Sequence, residues 1–233
     1  MKSQVYLIPS VLDESAIETI PAYIIDAVKL CHVIFAENER TARRFLKSIC
    51  KEIVIDDYEW FTIHKVESEM INTFRQKITA EKNIAIISEA GCPGIADPGQ
   101  MLIAVAQQMN VNVKPLVGPS SILLALMASG MNGQQFEFVG YLPIDNFERN
   151  KAITALELAS HNKNSTQIFI ETPYRNNQLF ETLLKTCKPS TKLCIAAELT
   201  SATEYIKTKT IADWKKEITD FHKKPVIFLL HST

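Results

Sequence analysis

Glycine is scarce in this 233-residue chain. Seven are present, well under the ~7% usual in soluble domains. All seven (Gly91, Gly94, Gly99, Gly118, Gly130, Gly133 and Gly140) fall within one stretch, residues 91–140. Other absences narrow the class. Five cysteines contain no C-x-x-C pair, which argues against a zinc site or a disulfide framework and for reduced, mostly buried thiols. Five histidines form no metal-binding pattern, so no metal is assigned. No apolar run reaches the ~18 residues of a membrane span, and the N-terminal apolar stretch is too short for a secretory signal. Twenty-five basic against 26 acidic residues give a formal charge of -1, without the basic excess of many nucleic-acid binders. A soluble, cytoplasmic protein is expected.

Two nucleotide signatures are missing as well. There is no G-x-x-x-x-G-K-[ST], which excludes a P-loop hydrolase. The turn after the first strand reads IPSVLDE, so the usual dinucleotide fingerprint is absent.

What is present is alternation. Short β-rich runs at 5–8, 32–37, 52–56, 83–88 and 111–117 are separated by helical patterns near 15–30, 39–49, 64–81 and 99–109. Five such units predict a mainly parallel five-stranded sheet covered on both faces. Pro119 and the following serines start a further helix, which Gly130 ends. The second half places strands at 136–142, 166–171, 192–198, 204–211 and 225–230, with helices near 148–159, 176–187 and 211–221. Residues 192–198 and 204–211 are too close for a crossover helix, so they predict an antiparallel hairpin and a mixed sheet. The expectation is an α/β protein of two domains, 1–117 and 118–233.

The strongest local feature is I-I-S-E-A-G-C-P-G-I-A-D-P-G at 86–99. Three glycines and two prolines follow a buried strand, so the loop continues as neither helix nor strand. It lies at the carboxyl edge of a parallel sheet, where open α/β folds bind ligands, and presents free backbone groups suited to an adenine and a ribose. Asp97 either caps a helix starting near Pro98 or meets the ligand. Ser120 and Ser121 either cap the next helix or contact the ligand through its N-terminus.

With P-L-V-G-P-S-S some twenty residues after that loop, the chain resembles the tetrapyrrole methylase superfamily of S-adenosylmethionine-dependent methyltransferases. Within it, E-N-E-R-T at 37–41, F-V-G-Y-L-P at 138–143, E-T-P-Y-R at 171–175 and A-E-L-T at 197–200 look most like the branch that methylates a cytidine ribose 2′-oxygen in 16S rRNA. That branch shows T-P-I-G-N-L in its first loop, where this chain has I-P-S-V-L-D, and E-D-T-R where it has E-N-E-R.

The resemblance implies S-adenosylmethionine folded into a cleft between two domains. Its contacts would be Gly91, Cys92, Ile95 and Ala96, then Ser120 and Ser121, and Glu171, Thr172, Leu199, Pro225 and Val226. Glu37 would act as hydrogen-bond acceptor or base, or else pair with Arg40. Arg40 and Arg175 would hold phosphate or another anionic group. Arg40, Arg43, Arg44 and Lys47 form a basic helix face, either an RNA contact or a solvated surface. The resemblance also implies a homodimer. Three readings stand: a methyltransferase acting on ribosomal RNA, one acting on a small molecule such as a tetrapyrrole, and a binding protein without catalysis.

Overall fold

Residues 33–36 (Val-Ile-Phe-Ala) and 84–87 (Ile-Ala-Ile-Ile) are buried at every position, so neither can be a strand with one face in water. They are the inner strands of the first of two α/β units. The computed structural model describes residues 3–63 and 67–232. It divides the chain into compact units at Met1–Ser120 and Ser121–Thr233.

The first unit runs β1 (Gln4–Ile8), α1 (Tyr23–Lys29), β2 (Val33–Ala36), α2 (Glu39–Ile49), β3 (Glu59–Thr62), α3 (Ile71–Thr79), β4 (Ile84–Ile87), α4 (Gln100–Gln108) and β5 (Asn112–Pro115). The strands form one sheet in the order β3-β2-β4-β1-β5, parallel throughout. Period-two alternation sorts its side chains into two cores. Ile8, Ile34 and Ile87 face Phe45 and Leu46 of α2, while Val33, Phe35 and Ile86 face Phe74 of α3 and Leu102 of α4.

Three expected elements differ. Residues 52–56 form no strand. Ile55–Asp57 make a 3-10 turn, the Trp60 indole donates to the Ile55 carbonyl at 3.0 Å, and the strand beside β2 is Glu59–Thr62. Phe61 stacks on Phe35 at 5.0 Å. Aromatic burial wins over the β-branched run. The helix expected at 15–30 is interrupted before Pro21, which has no N–H to donate. Of the helix expected at 64–81, residues 64–66 lie outside the described residues, and the remainder is a 3-10 turn (Glu67–Met70) followed by α3.

The second unit contains α5 (Ser121–Ser129), β6 (Phe136–Tyr141), α6 (Asn146–Lys163), β7 (Thr166–Ile170), α7 (Asn176–Thr186), β8 (Lys192–Ala197), β9 (Tyr205–Thr210), α8 (Ile211–Trp214) and β10 (Val226–His231). Its sheet has the order β6-β7-β10-β8-β9. Only β6 and β7 pair in parallel, and β8–β9 is the expected hairpin. The helix expected at 211–221 stops after one turn. Trp214 is fully buried with its indole on the Leu193 carbonyl at 2.8 Å, and the chain then turns to insert Phe221 edge-on against Phe180. A continued helix would keep Phe221 from that contact.

Candidate functional site

In the first unit the loop after β1 and the loop after β4 are tied together. Ser10 and Gly91 exchange backbone hydrogen bonds at 2.8 and 3.1 Å, and the Ser10 hydroxyl donates to the Ser88 carbonyl at 2.9 Å. Gly91 sits at φ +70°, a left-handed conformation that favours glycine. The Cys92 thiol reaches the Pro119 carbonyl at 3.5 Å, drawing in the segment before α5. Gly118 in that segment packs so tightly on Pro9 that an added Cβ would lie 2.1 Å from the proline's Cβ. Ile95 and Ala96 are exposed at the tip of the loop. Ala96 holds φ +62°, which costs a non-glycine residue roughly 1–2 kcal/mol and is a form of strain that gathers at functional sites.

Asp97 does not cap a helix. The helix begins at Gln100, and Gly99 occupies the cap position. Asp97 lies in an acidic group instead: burial, then the charges of Glu37 and Glu89, push its carboxyl up to about 7. Glu37, just past β2, accepts the Glu89 backbone N–H at 3.0 Å. Among the described residues it makes no ion pair with Arg40, which is exposed. Much of the basic face of α2 is engaged. Arg43 pairs with Glu39 at 2.7 Å and lies over the Trp60 ring, and Arg44 pairs with Glu14. A cavity of about 260 Å³ opens beside these loops, lined by Ser10, Leu12, Thr41, Arg44, Phe45 and Glu89 among others.

In the second unit, Glu171 follows β7 and is 5% exposed. Its Oε1 accepts from the Thr172 N–H at 2.6 Å and from the Arg175 Nε and Nη2 at 3.1 and 2.6 Å. Its Oε2 is buried without a partner among the described residues. The next strand ends on the same edge of the sheet. There Glu198 and Thr200 adopt left-handed φ of +52° and +68°, with Leu199 buried between them. The Glu198 N–H donates to Pro225 O at 3.0 Å, Lys224 pairs with Glu198 at 2.7 Å, and Val226 stands opposite Ala197. Glu171, Thr172 and Arg175 therefore form one hydrogen-bonded group, with Leu199, Pro225 and Val226 along the same edge. Ser120 ends the first unit and Ser121 opens α5.

Sequence reasoning missed three contributors: Ser10, Thr200 and the role of Asp97. The Thr200 hydroxyl, on the edge that holds Glu171, is a second buried polar atom without a partner among the described residues. Ser10 and Asp97 carried a signal in the proline-rich loops around them. Only tertiary contacts bring them to Ser88 and to Glu37.

Residues 17–215 match the family described as Tetrapyrrole (Corrin/Porphyrin) Methylases. The chain is 32% identical over 168 residues to the ribosomal RNA small subunit methyltransferase I of Vibrio cholerae serotype O1, covering 71% of this chain and 57% of that protein. It is 26% identical over 235 residues to the protein of the same name from Escherichia coli O157:H7, covering 98% and 78%. Against the Micromonospora olivasterospora protein of that name the match spans 51% of its length, so the chain spans little more than half of some relatives. The crystal structure of the methyltransferase CobJ shares the fold, with a TM-score of 0.66 at 14% identity over 99% of this chain and 94% of that one.

Proposed function

Since the chain belongs to the tetrapyrrole (corrin/porphyrin) methylase family, we propose that it is an S-adenosylmethionine-dependent methyltransferase whose acceptor is a ribose 2′-oxygen of ribosomal RNA. The supporting observation is the Glu37 carboxylate, a proton acceptor fixed by the Glu89 N–H, beside a loop whose Ala96 is held at φ +62°. The identities of 26–32% to ribosomal RNA methyltransferases favour RNA over a small acceptor.

The residues present fit the cofactor. S-adenosylmethionine carries two amino groups and a sulfonium charge, and it needs acceptors. Glu171 offers a buried carboxylate oxygen with no partner, and Thr200 a buried hydroxyl with none. The first-unit loop offers the exposed Ile95 side chain for an apolar ring face. The contacts are assigned to Gly91, Cys92, Ile95, Ala96 and Ser120 in the first unit. In the second they are assigned to Ser121, Glu171, Thr172, Leu199, Pro225 and Val226. The cofactor supplies a methyl group activated on sulfur.

The protein's task is to hold the acceptor oxygen in line and to take its proton. Glu37 is fixed by the Glu89 N–H and stands ready to accept that proton, with Asp97 beside it. Arg40 is exposed and free to meet phosphate, whereas Arg175 is held by Glu171 and orients that carboxylate. Apolar side chains exposed on the second unit, Leu123 and Met127 of α5 with Ile144 and Phe147, support a homodimer. No helix among the described residues is long and apolar enough to cross a membrane, in keeping with a cytoplasmic site of action.

The test is transfer of a labelled methyl group from S-adenosylmethionine to small ribosomal subunits isolated from cells lacking this protein. Incorporation at a ribose 2′-oxygen is expected. Cofactor binding without incorporation into RNA would overturn the RNA assignment.

A further inference from the structure

At the edge of the second sheet that carries Glu171, an aromatic ring stands in solvent. Tyr174 is 70% exposed, unusual for a side chain that gains so much by burial. Its surroundings are built. His222 meets the ring edge-on at 5.9 Å, and the Lys223 ammonium lies over the ring at 6.0 Å from its centre. Lys223 has a left-handed φ of +61°, and its N–H donates to Pro173 O at 2.9 Å, so the lysine is tied to the tyrosine's own loop. Beneath them Asn176, fully buried, donates its amide to the carbonyls of Phe221 and Lys224 at 3.3 and 2.7 Å. Asn177 and Asp220 join the same turn to the start of α7 at 2.7 Å.

Charge around the ring is largely matched apart from one group. Lys224 pairs with Glu198 and Arg175 with Glu171, while Asp220 is occupied by Asn177 and the His222 N–H. Lys223 has no carboxylate partner among the described residues. An exposed aromatic ring beside a cation that has no carboxylate partner fits a π-system attached to a phosphate. It fits an apolar protein surface poorly, since tyrosine, histidine and lysine crowd the spot with polar atoms.

We propose that Tyr174, His222 and Lys223 form a platform on which an unpaired base of the RNA substrate stacks, with Lys223 meeting the adjoining phosphate. The assignment rests on RNA being the acceptor and adds where a base outside the reacting nucleotide is held. Stacking tolerates any base, so the platform supplies affinity and register, and sequence is read elsewhere.

Binding of a fluorescein-labelled, 12-nucleotide single-stranded RNA is measured by anisotropy for the whole protein. Labelled-methyl transfer to small ribosomal subunits and calorimetric titration with S-adenosylmethionine run in parallel. Tyr174→Ala is expected to weaken RNA binding about tenfold. Tyr174→Phe, which keeps the ring, should bind like the wild type. Lys223→Ser should flatten the slope of log affinity against log salt by roughly 0.7, one phosphate contact to a single strand. Cofactor affinity and melting temperature should stay unchanged in all three. Wild-type RNA affinity in Tyr174→Ala, with methyl transfer intact, would overturn the platform and leave the RNA assignment standing. A wild-type protein that binds cofactor but neither binds RNA nor methylates ribosomal subunits would overturn both.

Discussion

The carboxylate of Glu37 accepts the backbone N–H of Glu89 at 3.0 Å, joining the end of β2 to the end of β4. The bond leaves Glu37 held at the carboxyl edge of the sheet, beside the loop that carries Gly91 and Asp97. Glu37→Gln keeps an acceptor for that N–H and removes the charge. If Glu37 takes the proton of the acceptor hydroxyl, the variant should lose about 10²–10⁴-fold in kcat. Cofactor affinity by calorimetry should be unchanged. Full activity in Glu37→Gln would assign the proton to another group, with Asp97 next.

Asp97 makes stability depend on pH in a defined direction. Its carboxyl is raised to about 7 in the folded protein, against 3.8 for the ordinary side chain, so the folded state holds the proton more tightly. That favourable contribution is complete below the unfolded value and is lost as pH rises through the folded one. Asp97→Asn imitates the protonated form. Its advantage in melting temperature over the wild type should grow from about pH 4 to about pH 7 and then level off. In a Glu37→Gln background, where one of the raising charges is gone, the rise should begin at the same pH and end at a lower one. A pH-independent difference would contradict the acidic grouping.

Gly118 has no room for a side chain. An added Cβ would lie 2.1 and 2.5 Å from Pro9 Cβ and Cγ. Gly118→Ala must shift either the first loop or the segment before α5, and overpacking of this kind costs ~1–3 kcal/mol. The midpoint of urea unfolding should fall. Gly133→Ala, with nothing within 4 Å of its added Cβ, should not show that loss.

The cysteines should separate by reactivity in the native protein. Burial pushes the Cys31 and Cys187 thiols up to about 12, with Glu157 adding to the effect at Cys187. Cys50 and Cys194 are buried too, whereas Cys92 is half-buried in the candidate cofactor loop. A thiol reagent followed by peptide mapping should mark Cys92 first. S-adenosylhomocysteine should slow that labelling. Unprotected Cys92 in a protein that binds the ligand would remove it from the contact set.

Much of this architecture was legible because hydrophobic periodicity is a local property. The inner strands at 33–36 and 84–87, the hairpin at 192–210 and the amphipathic α2 all follow from runs of a few residues. The expectations that differ depend on distant partners. Residues 52–56 had strand composition, yet the strand formed at 59–62, where Phe61 reaches Phe35. The helix after Ile211 stopped at Trp214 because Phe221 finds Phe180. At the candidate site, the glycine and proline content announced the loop, and shared motifs named Glu171 and Arg175. Their bond spans only four residues, but the burial of the unpartnered Oε2 beside it and the setting of Asp97 depend on other segments, which no local pattern encodes.

The sequence by itself determined the two sheets, the glycine loop at the edge of the first and the family, since each is written in local periodicity or in contiguous motifs. Only the tertiary structure decided which carboxylates stand together, which arginines are occupied and where an aromatic ring remains in solvent. Pairing energy and burial depend on distances across the fold, and the chain sets those distances only when its sheets close.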